Sequence, residues 1–77
     1  MLSEKTINAM RIEAHAAEVE HGHFNSFHEA YAILLEEVDE LWDEIKKHNH
    51  DKDNIYAEAI QVAACAARLA EMTEWYG

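Results

Sequence analysis

Apolar residues recur along the chain with a helical period of about 3.6, and no stretch alternates with the two-residue period of a strand. The pattern predicts an all-α protein of three helices. The first should run from about Ser3 to Glu20, with Ser3 as N-cap. Its apolar residues split between two faces, Ile7, Met10, Ala14 and Ala17 on one and Ile12, Ala16 and Val19 on the other. A helix that is apolar on two sides usually lies between two neighbours. His21-Gly22-His23 closes it, with Gly22 supplying the left-handed conformation a helix end favours.

The second helix opens on Ser26-Phe27-His28-Glu29, which reads as a capping box, and should reach about Lys47. Phe27, Tyr31, Leu34, Val38, Leu41 and Ile45 form its apolar stripe and are its predicted core face. Lys46, Lys47 and His48 suit the negative end of the helix dipole. After a polar turn, Asp51 or Asp53 can cap a third helix running to about Glu74. Ile55, Ala59, Val62, Ala66 and Leu69 make one stripe of that helix, the predicted protomer core. Ile60, Ala64 and Ala67 lie opposite and are predicted to meet a partner subunit, with Ile12, Ala16 and Val19 of the first helix as a second candidate.

Length sharpens this picture. A single domain, residues 1–77, buries only roughly 60% of its unfolded surface. Cys65 is the only cysteine, so no disulfide can help. Oligomerisation is the remaining common source of stability, and the expected architecture is a three-helix protomer in a helical-bundle homodimer or homotetramer. A lone thiol fits a reducing, cytoplasmic compartment. The N-terminus has no basic segment followed by an apolar one, so no secretory signal is expected. The net charge of −10 argues against nucleic-acid polymers, whose phosphates it repels, and against anionic membranes. It also means that any phosphate-bearing ligand needs cations as intermediaries.

The acidic residues are patterned. Glu37, Glu40 and Glu44 recur at offsets of three and four and so share one helix face, along the edge of the apolar stripe. Carboxylates crowded at a core edge repel each other and lose solvent, and a hard cation would compensate. On the third helix, Glu58, Gln61, Cys65, Arg68 and Met72 form a mixed stripe. Two antiparallel helices joined by a short turn pack directly. Glu37, Glu40 and Glu58 could then supply oxygens to one Mg²⁺ or Mn²⁺, with Gln61 as a neutral fourth donor, while Glu36 points away from the core. The competing reading of the same residues is a solvated acidic face.

Other residues read more plainly. The two His-x-His pairs, His21/His23 and His48/His50, lack metal-site spacing and read as turn residues. Trp42 and Trp75 read as packing residues, and Cys65 as a small buried hydrophobe.

Glu36-Glu37-x-x-Glu40, a spacer, then Glu58-x-x-Gln61 resembles the MazG-like all-alpha nucleoside triphosphate pyrophosphohydrolases, whose pattern is E-E-x-x-E, a spacer, then E-x-x-D. The run His28-Glu29-Ala30-Tyr31 into Leu34-Leu35-Glu36 and the stretch Gln61-Val62-Ala63-Ala64 are similar too, so the resemblance spans about residues 24–72. It implies an all-α oligomer and Mg²⁺-dependent cleavage of a (d)NTP between the α- and β-phosphates, giving a (d)NMP and pyrophosphate. By motif position, Glu37, Glu40 and Glu58 would be metal ligands and Glu36 a ligand or water activator. The departure is Gln61, where the family has aspartate. An amide oxygen can coordinate but carries no charge and cannot act as a base, which leaves open a relative that binds nucleotide or protein without turnover. The resemblance also implies a fourth helix in many relatives that this chain does not show, so a complete site is expected to draw on two subunits. Lys46, Lys47, Lys52 and Arg68 are the cations available for substrate phosphates, Arg68 and Lys47 foremost. For Lys46 and Lys47 the alternative role is the helix dipole, and for Arg68 it is pairing with a carboxylate.

Overall fold

In the computed structural model, which describes residues 1–76, the chain forms α1 (Glu4–His21), α2 (Phe27–Ile45) and α3 (Lys52–Trp75). Among the described residues there is no strand, and no helix is long and apolar enough to cross a membrane. Local chemistry sets the helix ends. Ser3 accepts from the Thr6 N–H at 3.1 Å, Ser26 from Glu29 at 3.0 Å and Asp51 from Asp53 at 2.8 Å. Each satisfies a first-turn N–H that has no partner within its helix. Gly22 adopts φ +75° and donates its N–H to Glu18 O at 2.8 Å, which closes α1.

The capping box is altered. Glu29 turns to Asn25 instead of Ser26, accepting from its backbone N at 3.1 Å and its Nδ2 at 2.9 Å. Those two bonds, the backbone one first, hold the Glu29 carboxyl below its ordinary range. α2 ends two residues before Lys47. Lys46 and Lys47 fold back onto Asp43 and Glu44, each at 2.9 Å.

α3 is the central helix. It packs on both α1 and α2, which do not pack on each other. Thr6 Oγ1 meets Tyr56 Oη at 3.2 Å, and twelve residues further along both helices Glu18 meets Arg68. α1 and α3 therefore run parallel, and α2 runs antiparallel between them in sequence. The core sits where the α1–α2 loop meets the C-terminal half of α3. Phe24, Ala30, Cys65 and Met72 are buried there, with Ile33, Leu34 and Leu69 packed against them.

This arrangement corrects two of the predicted faces. Ile60 and Ala64, assigned from sequence to a partner subunit, are buried inside the protomer, whereas Ala59 and Ala66 are exposed and Ile55, Val62 and Leu69 are half-buried. A helix flanked on two sides buries the strip common to both contacts, and periodicity alone could not say which apolar strip that is. α2 is also turned from its predicted pose. Phe27, Tyr31, Val38 and Ile45 are exposed, and only Leu34 and Leu41 of the predicted stripe are half-buried. Beyond its first turn, α2 instead covers Ala30, Ile33, Leu34, Glu37, Leu41 and Glu44. Carboxylates thus stand in the α2–α3 contact. On α1, the Ile7, Met10, Ala14 and Ala17 face is half-buried, and Ile12, Ala16 and Val19 are open.

Candidate metal centre

The turn of α2 carries its acidic stripe onto α3. One carboxylate oxygen from each of Glu37, Glu40 and Glu58 lies within 4.8 Å of the others. The first two come from one face of α2 by their three-residue spacing, and Glu58 comes from the second turn of α3, which the short 46–51 connection brings alongside. Oxygens adjacent on Mg²⁺ at about 2.1 Å stand about 3 Å apart. The set is therefore slightly open, and rotation of the flexible glutamate side chains would close it.

The electrostatics are unfavourable without a cation. Glu37 is raised above its ordinary pKa, first by burial and then by Glu40 and Glu58. Glu58 is raised by burial and by Glu40 and Glu44. Glu58 Oε2 and Glu44 Oε1 are buried with no hydrogen-bond donor. Buried acceptors without donors are rare in folded proteins, and a hard cation is the partner that fits acceptors alone.

A pH experiment reads the crowding directly. With folded-state pKa values raised, the native chain holds protons that the unfolded chain has released, so this contribution to stability falls as pH rises. In chelator, the melting temperature should therefore climb as pH drops from neutral through the raised range toward the ordinary carboxylate pKa of about 4.3. Glu29, whose pKa is lowered, works in the opposite sense but only below that ordinary value. Glu58→Gln should flatten the climb. A wild-type melting temperature that only falls between pH 7 and 5 would contradict the crowding.

Beside the triad lies a cleft of about 360 Å³ between the helices, lined by Glu36 and Glu37 of α2, Gln61, Cys65 and Arg68 of α3, and His23 of the α1–α2 loop. Glu36, exposed on α2, faces this cleft, and Gln61 is half-buried in it one helical turn beyond Glu58. Glu37, Glu40 and Glu58 thus lie together, and Glu36 and Gln61 line the adjoining cleft with Glu37. Of the cations only Arg68 reaches this cleft. Arg68 is buried and committed elsewhere. Its Nε donates to Glu18 Oε1 at 3.2 Å, its Nη2 donates to Gly22 O at 3.0 Å, and its guanidinium stacks 4.1 Å over the Phe24 ring. The carboxylate-pairing role is the one realised, with Glu18 of α1 as the partner. Lys47 is exposed and bound to Glu44 at 2.9 Å, at the far edge of the acidic stripe. Lys52 is exposed in the first turn of α3.

Sequence reasoning missed Glu18 and Phe24, which hold Arg68. Glu18 lies fifty residues away with no periodic link to it. Phe24 carried the one available signal, an aromatic within an otherwise polar turn. Cys65 is buried as expected, and burial, the largest influence, pushes its thiol pKa up. No family model, curated protein or solved structure matches this chain.

Proposed function

We propose that the chain is a Mg²⁺-dependent, MazG-like nucleoside triphosphate pyrophosphohydrolase of the cytoplasm, working as a helical-bundle dimer or tetramer. The observation that carries this reading is the convergence of Glu37, Glu40 and Glu58 from two helices with buried, donor-free oxygens beside them. Those three carboxylates would hold the ion, with the Gln61 amide oxygen as a neutral addition. The cation, when bound, supplies neutralisation of phosphate charge. Water attacks the α-phosphorus, the bond from that phosphorus to the bridging oxygen breaks, and pyrophosphate leaves from a nucleoside monophosphate. Glu36, facing the cleft and outside the triad, is positioned to take the proton from the water. With Arg68 engaged by Glu18, Lys46, Lys47 and Lys52 are the cations left to meet the outer phosphates, Lys46 and Lys47 after release from Asp43 and Glu44.

Pyrophosphate release measured across all NTPs and dNTPs, with Mg²⁺ or Mn²⁺, tests the reading. Turnover should yield monophosphate and pyrophosphate in equal amounts, and Glu58→Gln should lower it by about a hundredfold or more, the scale of losing a transition-state electrostatic contact. Gln61→Asp should tighten the metal and raise turnover by restoring a charge. Gln61 also favours a second reading, a catalytically silent nucleotide- or protein-binding module. Nucleotide binding without pyrophosphate release in either the wild type or Gln61→Asp would establish that reading instead.

A further inference from the structure

We propose that α2 pairs antiparallel with α2 of a second copy of this chain, through Tyr31, Leu35, Val38, Trp42 and Ile45. The inference deepens the assembly part of the reading above and does not depend on the metal chemistry. The five residues are spaced 4-3-4-3, the 3.5-residue period of a two-helix seam. All are open in the protomer, with Tyr31 58%, Leu35 45%, Val38 42%, Trp42 57% and Ile45 40% exposed. They occupy the face of α2 that turned outward when the acidic stripe turned onto α3.

The areas match what a dimer needs. The chain exposes 5785 Å², whereas a compact monomer of its 8.9 kDa mass exposes about 4,800 Å². Side chains of this size carry on the order of 200 Å² each, so half-exposed they present about 500 Å² per chain and about 1,000 Å² per pair. That reaches the lower bound of a specific interface. A seam of one period is self-complementary, as a two-fold contact requires.

Charge sets the direction. Parallel pairing would lay the acidic run Glu36–Glu44 beside its own copy along its whole length. Antiparallel pairing about Val38 shortens that overlap to residues 36–40, where Glu36 stands opposite the partner's Glu40, and sets Ile45 opposite the partner's Tyr31. It also opposes the two helix dipoles. A second apolar surface, a groove between α1 and α3 lined by Leu2, Ile7, Met10 and Ala67, also holds Arg11 and Glu71 and lacks this repeat.

Light scattering at micromolar concentration should give twice the 8.9 kDa chain mass. Trp42→Glu should halve it while the helical circular dichroism stays within about a tenth of wild type, because Trp42 supports little inside the protomer. Met10→Glu should remain dimeric. In a Cys65→Ala background, Val38→Cys should oxidise to a disulfide-linked dimer and Tyr31→Cys should not, a result that decides the matter even if Trp42→Glu unfolds. A monomeric wild type, a dimeric Trp42→Glu, or cross-linking at Tyr31→Cys but not Val38→Cys would each overturn the proposal. A Mg²⁺-induced melting shift should persist in the monomeric variant, since the triad lies within one chain. Loss of that shift alone, with the dimer intact, would count against the metal site and leave the seam standing.

Discussion

Mg²⁺ at ten times its dissociation constant is expected to raise the melting temperature of this chain by about 6–11 °C. The arithmetic is direct. A ligand that binds only the folded state at tenfold excess stabilises by about 1.4 kcal/mol, and each kcal/mol moves the melting point of a chain this size by about 4–8 °C. The physical origin is relief of a cost already present. Glu37 and Glu58 are raised by burial and by their carboxylate neighbours, and two carboxylate oxygens lack donors. Glu40→Gln should abolish most of the shift, because it removes one of the three oxygens' charges from the triad. The same substitution should raise the melting temperature measured in chelator, since it removes repulsion. This opposite movement separates a metal ligand from a residue that merely supports the fold. A wild-type melting curve unchanged by millimolar Mg²⁺, with and without nucleotide, would defeat the metal reading.

Arg68→Ala should be strongly destabilising, costing about 3 kcal/mol. Breaking a buried ion pair from one side costs about 3–5 kcal/mol, and the partial exposure of Glu18, at 30%, places this pair at the lower end. Three contacts go at once: Glu18 Oε1, the Gly22 carbonyl and the Phe24 ring. Glu18 is then left with only His23 Nδ1, 2.9 Å from Oε2 but too poorly aligned to count as a hydrogen bond. These contacts tie α1 and its closing turn to α3, and α1 itself buries no residue completely. Against a total stability of about 5–15 kcal/mol for a small domain, the loss is severe. Urea denaturation should show the midpoint falling by about a third or more, with α1 amides losing hydrogen-exchange protection first. Glu18→Gln, which keeps an acceptor in place, should cost less than half as much. Equal stability of Arg68→Ala and wild type would release Arg68 from this structural role and restore it as a phosphate ligand.

The helices themselves were written in the sequence, because their signals are local. Ser3, Ser26 and Asp51 cap helices through residues two or three positions away, and Gly22 supplies the positive φ that ends α1. The same holds for the triad. Glu37 and Glu40 share a face by spacing, and a six-residue connection leaves α3 little choice but to lie antiparallel and bring Glu58 alongside. What the tertiary structure alone decided was rotation and long-range pairing. α2 carries two apolar half-faces, and the one that meets α3 is the one that buries Ala30 against Cys65 and Met72. That choice drew the carboxylates inward and left Tyr31, Val38 and Trp42 open. Likewise α3 buried Ile60 and Ala64 because it has neighbours on both sides, a fact no single helix encodes. The partner of Arg68 lay fifty residues away on α1. Periodicity fixes which residues share a face, but the direction a face points is a property of the packed helices together.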